Sequence, residues 1–337
     1  MSHPHTIDKY QIIEHLGSGS FGDVYRVLDR ALQAEKAIKV LGVTDPAEFI
    51  QSLGEAQILR RCSHKHIVAI NEANIFDVMG SPRVVLDLEY IAEGSLEDAL
   101  ANRWVSIPDA VRYLQGALQG LEHAHSQGFL HRDIKPGNIL LSSSAAKLSD
   151  FGLATDTSST LVGSAQGYVT HLPPEYWTTR QTTVLSDVFA CGVTLYRVIS
   201  NIDDWRAVVK ATPDARSKIQ NGKLIEGIGF ESFIPKPLQK IIRKACHPEP
   251  AKRYQSVLEL RQQLDRLRFG IDWITTGDFS WEGRQGADVF TVEVDPLKFG
   301  LDFKKNNRRK NDQCAQYGDL GAAIHAMESL VANTTLQ

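Results

Sequence analysis

The sequence predicts an α+β fold in two lobes, a small β-rich one followed by a larger, mainly helical one, with a small α+β unit appended. Three changes of pattern along the chain predict it. From Tyr10 to about Tyr90, runs such as QIIEHLG, VYRVLD and EKAIKVLG alternate apolar and polar residues, the period of half-buried strands. From Ser106 to about Phe269 the apolar spacing becomes helical, and after Gly270 short alternating runs return.

Taken in order, residues 1–9 read as a tail and residues 10–90 as the sheet-based lobe, interrupted by one helical stretch near Glu48 to Arg61. Residues 89–94 read as a hinge: IAEGSL, Ile91 to Leu96, carries Gly94 and no strong periodicity. Residues 95–268 form the helical lobe. Ser106 and Asp109 have the spacing of a capping box, leading into a helix that stops at Gly128. Val188 to Ile199 is apolar but contains Arg197 and is shorter than the roughly 20 residues a bilayer needs, so it reads as a core helix. In residues 269–337, GDFSWEGRQGAD reads as turn-rich, VFTVEV and LDFKK as strands, and Asp319 as the cap of a last helix. Its apolar stripe, from Leu320 through Ala323, Ile324, Met327 and Leu330 to Val331, calls for a partner surface.

A chain of 337 residues can bury a sizeable core, and 42% hydrophobic with 23% charged residues is the composition of a globular protein. A formal charge of −3 argues against general affinity for polyanions. Cys62, Cys191, Cys246 and Cys314 are scattered and form no CxxC pair, which suits a reducing, cytoplasmic setting better than a disulfide framework. MSHPHTIDKY lacks the charged-then-apolar pattern of a secretory leader, and no membrane attachment is expected.

The chemistry concentrates in two short runs. HRDIKPGN, His131 to Asn138, places Asp133 as a base for a hydroxyl proton beside the cation Lys135. Twelve residues after Asn138 begins DFG, Asp150 to Gly152. Asn138 and Asp150 supply the hard oxygen ligands that Mg2+ prefers. Gly17, Gly19 and Gly22 in GSGSFGDV lie between two strand-like runs, where missing Cβ atoms let backbone amides approach phosphates. A dinucleotide loop would lead into a helix; here a strand-like run follows. Lys39 on the next run could reach the phosphates of ATP, with Ala37 and Val24 covering the adenine. Glu55, with Glu48 as a rival, is the expected carboxylate partner of Lys39.

With these motifs the chain resembles the eukaryotic-type (Hanks-type) serine/threonine protein kinases from about Tyr10 to Arg268, and its compact loops resemble soluble bacterial members. The resemblance implies a bilobal protein kinase fold and transfer of the γ-phosphoryl of ATP to protein hydroxyls with Mg2+. Its register favours Glu55 over Glu48. By the same resemblance Lys135 points to serine and threonine acceptors, Leu88 is the gatekeeper, Glu89 to Ile91 form the adenine-contacting hinge, and Leu140 is the floor beneath the base. It also implies that Asp187 and Gly192 brace the helical lobe, that Arg253 pairs with Glu175 of PPE, and that His131, Phe151 and Leu59 stack in a column aligning the lobes. Packing is therefore the preferred role for His123, His125 and His131 over a metal site.

The pattern departs from the family in GYVTHLPPE, where Tyr168, His171 and Pro173 replace the usual residues of the substrate-docking loop. Arg132 is the family's mark of control by activation-loop phosphorylation, with Thr155, Thr157, Ser158, Ser159 and Thr160 as acceptors. The basic run Lys304, Lys305, Arg308, Arg309 and Lys310 reads as a solvated turn rather than a nucleic-acid site, lacking interleaved aromatics. Two rival functions are a scaffold that signals by binding and a small-molecule kinase. The complete catalytic set opposes the first; Lys135 and the PPE with Arg253 oppose the second.

Overall fold

The computed structural model describes residues 5–19, 22–42, 46–143, 145–152, 154–156 and 169–337, with side chains described throughout these except at 19, 46–52, 155 and 156. The first lobe is a six-stranded antiparallel sheet built from β1 (Thr6–Ile7), β2 (Tyr10–Gly19), β3 (Gly22–Asp29), β4 (Ala34–Leu41), β5 (Ile70–Val78) and β6 (Ser81–Glu89), in the order β1-β2-β3-β4-β6-β5. Helix α1 (Pro46–Arg61) packs on β5 and β6. Cross-strand register sorts the side chains. Val24 lies opposite Lys39, Ala37 opposite Leu88, and Lys39 opposite Leu86, so these residues share one face. The other face buries Tyr25, Val27, Ile38 and Val85 under Ile7 and Tyr10. The initial strand thus closes the side of the sheet that the site does not use.

The helical lobe follows with α2 (Leu96–Asn102), α3 (Ile107–Ser126), β7 (Phe129–Leu130), β8 (Ile139–Leu141), β9 (Ala146–Leu148) and β10 (Thr155–Asp156). Helix α2 starts where the segment read as a connector ends, and was not singled out within the helical lobe, since seven residues are too few to show a period. It has a complete capping box, with the Ser95 hydroxyl accepting from the Asp98 amide and the Asp98 carboxylate accepting from the Ser95 amide. The box expected at Ser106 is only half made. Ser106 accepts from the Asp109 amide at 3.4 Å, but the Asp109 carboxylate turns outward to Arg112.

Beyond the site come α4 (Pro174–Thr179), α5 (Val184–Ile199), α6 (Trp205–Ala211), α7 (Ala215–Gln220), α8 (Leu224–Ile228), α9 (Lys236–Ala245) and α10 (Val257–Asp265). Helix α5 is buried along nearly its whole length, as its apolar composition requires, against α3 and α9. Among the described residues no helix is long and apolar enough to cross a membrane.

The appended segment folds as β11 (Asp272–Gly277), β12 (Ser280–Gln285), β13 (Asp288–Asp295), β14 (Gly300–Lys305), β15 (Arg308–Arg309), β16 (Ala315–Gln316) and α11 (Leu320–Thr335). The stretch read as turn-rich contains β12, whose Trp281 and Gly283 face inward by simple alternation. The stripe of α11 finds its partner in this same sheet: Ala323, Met327 and Val331 are buried against it. Gly270 and Ile271 donate to the carbonyls of Thr335 and Thr334, so the segment's two ends meet. Its core is continuous with that of the helical lobe through Trp104, Phe233 and Trp281.

Candidate active site

The site forms where the sheet's inner face meets the loops of the helical lobe. Lys39 Nζ donates to Glu55 Oε1 and to Asp150 Oδ1, each at 2.7 Å, which ties β4, α1 and the start of DFG together. Lys39 and Glu55 are both buried. Burial alone would lower the Lys39 pKa, but the Asp150 and Glu55 carboxylates outweigh it and raise it, so the ammonium form persists. Burial likewise pushes Asp150 up, while Lys39 pulls it below the ordinary carboxylate value. The glutamate partner is Glu55, four residues before Leu59 of the central column.

Across the cleft, Asp133 accepts from Lys135 Nζ at 2.6 Å and from Asn138 Nδ2 at 3.0 Å, both at Oδ2, and its carbonyl accepts from the same amide at 2.8 Å. Holding Asp133 with its nitrogen leaves the Asn138 amide oxygen for other work. The donor set of Asn138 and Asp150 is all oxygen and fits a hard divalent cation. Beneath this loop, buried Asp187 accepts from the amides of His131 (3.0 Å) and Arg132 (2.8 Å) and from His125 Nε2 (2.8 Å). Burial opposes its ionisation, but these hydrogen bonds and the nearby imidazoles keep its pKa depressed. They also hold Arg132 at φ 71°, a left-handed backbone at the catalytic loop.

His131 packs edge-on against Phe151 with ring centroids 4.6 Å apart, and Leu59 is buried in the same cluster. Ile70 of β5 packs against this cluster from the sheet. His123 stacks on His64 at 5.0 Å, a contact that spacing in the sequence does not reveal. Among the described residues no three of His, Cys, Asp and Glu gather as a metal site.

The remaining candidates line the opening. Val24, Ala37 and Leu88 project from the sheet face that carries Lys39. Leu140 sits between buried Ile139 and Leu141, so its side chain points to the opposite side of the strand, and its backbone forms an isolated bridge with Ser95. Glu89 belongs to this wall through its backbone only: its carboxylate accepts from Lys147 Nζ at 2.6 and 2.8 Å and from the Ala69 amide. Ile91 is half-buried in the connector, and its carbonyl accepts from Gly94. Gly17 lies opposite Val24, and a Cβ there would meet nothing within 4 Å. Gly19 pairs with Gly22, where a Cβ would strike the Val40 carbonyl oxygen at 2.1 Å and φ is +146°, so no side chain fits.

A family model described as protein kinase domain matches residues 10–264. The chain belongs to the protein kinase family. The chain is 29% identical over 280 residues to serine/threonine-protein kinase PknB of Mycobacterium leprae, covering 79% of this chain and 44% of that protein. It is 29% identical over 283 residues to serine/threonine-protein kinase PrkC of Bacillus subtilis, covering 81% and 42%. To serine/threonine-protein kinase STK11 of Rattus norvegicus it is 31% identical over 274 residues, covering 76% and 60%. The chain therefore spans less than half the length of these bacterial relatives. Its fold is bilobal, as the resemblance implied, and Arg253 forms the implied pair with Glu175 through two bonds of 2.8 and 2.7 Å.

The turn from Val169 to His171, where the sequence departs from the family, is held against a tryptophan. Thr170 accepts from Trp205 Nε1 at 2.8 Å, and buried His171 packs edge-on against the same indole. Tyr168, Thr157, Ser158, Ser159 and Thr160 lie outside the described residues. Thr155 pairs through its backbone with Leu130.

Proposed function

We propose that this protein is a serine/threonine protein kinase that transfers the γ-phosphoryl of ATP, with Mg2+, to hydroxyls of protein substrates. The observation that carries the reading is the double ion pair of Lys39 with Glu55 and Asp150, which assembles both lobes around one cation. Asp133 receives the acceptor hydroxyl's proton, a role worth about 10² to 10⁴ in rate. Asn138 and Asp150 hold the metal, Lys39 the phosphates, and Lys135 offsets charge on the group in transfer. The metal's chemistry is to neutralise phosphate oxygens when bound.

In the basic run of the appended segment, Lys304 and Arg309 share Asp302 and Lys305 pairs with Asp288, so three of its five cations have a carboxylate partner nearby. The test of the main reading is Asp133→Asn. It should abolish phosphate incorporation into a serine or threonine substrate while calorimetry still reports binding of ATP with Mg2+. Retained transfer would overturn the role of Asp133, and ATP binding without transfer by the wild type would favour a scaffold.

A further inference from the structure

Helix α2 is fastened to the nucleotide side of the cleft at one end and to the appended segment at the other. At its N-terminal end, Ser95 bridges Leu140, and the carbonyl of Gly94 accepts from the Leu141 amide at 2.8 Å. The helix also packs on the turn from Pro136 to Asn138. Just past its C-terminal end, Trp104 meets Trp281 of β12 edge-on at 5.1 Å and Phe233 at 5.5 Å, while Phe233 and Trp281 lie 5.2 Å apart. Three rings thus touch pairwise, and one of them comes from outside the kinase-family match, which stops at residue 264.

The junction is tight: the void among Trp104, Ile107, Phe233, Trp273, Trp281 and Val331 measures about 10 Å³, at the lower limit for one water. Trp273 Nε1 donates to Thr334 Oγ1 at 2.9 Å, locking the sheet to the end of α11 behind the rings. The link between α2 and α3 has no slack either, because Asn201 holds Val105 through both its amide (2.6 Å) and its carbonyl (2.9 Å). A seven-residue helix spans about 10 Å, so a shift at Trp104 reaches Ser95 with little loss.

We propose that Trp281 is a positioning residue for nucleotide binding, acting through Trp104 and α2 on the Leu140 floor. The proposal rests on the ATP-site reading above. Trp281 touches neither nucleotide nor acceptor, so its removal affects how well the floor is placed. The chemical groups on the catalytic loop stay as they are.

The experiment compares Trp281→Ala with Leu301→Ala, a buried position in the same sheet two strands away. Both are assayed well below their melting temperatures. Trp281→Ala should raise the KM for ATP about three- to tenfold, the size typical of indirect coupling, with kcat changed less than about twofold. Leu301→Ala should lower the melting temperature without moving KM. Trp104→Ala combined with Trp281→Ala should add little to either alone. An unchanged KM in Trp281→Ala would overturn the proposal, as would an equal rise in Leu301→Ala. If Trp281→Ala does not fold, Trp281→Phe and Trp104→Phe are judged by the same criteria. Equilibrium binding of a fluorescent ATP analogue reports the coupling even in a protein that transfers no phosphate, which separates this proposal's failure from that of the functional reading.

Discussion

Buried His171 on the substrate-docking turn makes a pH dependence calculable at the scale of one residue. Burial, then the charges of Arg197 and Lys135, hold its imidazole well below its ordinary pKa, so it is neutral in the fold. In the unfolded chain it titrates near 6.5. The unfolded state therefore takes up the proton first, and stability is intact above pH 6.5 and falls as pH drops below it. One such group gives a slope of up to about 1.4 kcal/mol per pH unit. His131 contributes in the same direction, its pKa also lowered by burial. Replacing His171 by Phe should remove one proton's share of the slope, read from melting curves between pH 7 and 5. An unaltered slope would show that His171 is charged in the fold. Residue-scale features were the most legible in the sequence, because Lys39, Asp133, Asn138 and Asp150 are fixed by chemistry and spacing. Pairs such as His64 with His123 were not, since ring stacking between distant segments leaves no local pattern.

Among elements, α5 is the post on which the helical lobe is assembled, and Gly192 is where it comes closest to a neighbour. A Cβ at Gly192 would lie 2.5 Å from Cys246 Sγ and 2.8 Å from Ala245 Cβ, so α5 and α9 would have to part. Gly192→Ala should cost about 1–3 kcal/mol of stability, the range for overpacking. Urea denaturation checks the value, and activity per folded molecule should hold, since Asp187 lies more than one turn away along the helix. Helices of this length were readable from their apolar period. Helix α2 and strand β12 were not: one is too short for a period, and the other is bounded by glycines and polar residues that imitate turns. The capping expected at Ser106 failed on a choice between partners, because Asp109 found a cation, Arg112, on its own helix. No rule of spacing decides such a competition.

At the scale of the whole molecule, the appended segment is packed into the helical lobe's core rather than set beside it. A chain ending at Arg268 would uncover Trp104, Phe233 and Ile107 together, an apolar patch of the kind that drives association. Such a truncation should lower the melting temperature and self-associate on gel filtration; a monodisperse product with an unchanged melting temperature would show that the aromatic contacts contribute nothing. The two-lobed plan was legible because the apolar period itself changes from two to 3.6 between Tyr90 and Ser106. Docking of the last segment on the large lobe was one role its strand pair and amphipathic helix suggested, but the rings that make the contact, Trp104, Phe233 and Trp281, are too far apart in the chain to leave a local pattern.

The double ion pair of Lys39 also bears on what the cleft attracts. Among the described residues the Glu55, Asp133 and Asp150 carboxylates pair with the ammonium groups of Lys39 and Lys135, three negative groups against two positive ones. Nucleotide stripped of its cation brings more of the same sign. Affinity for ATP should therefore be a function of free Mg2+, falling on chelation with EDTA and returning on titration of the metal, as calorimetry would show. On the proposed function, the cation is as much an admission requirement as a reagent.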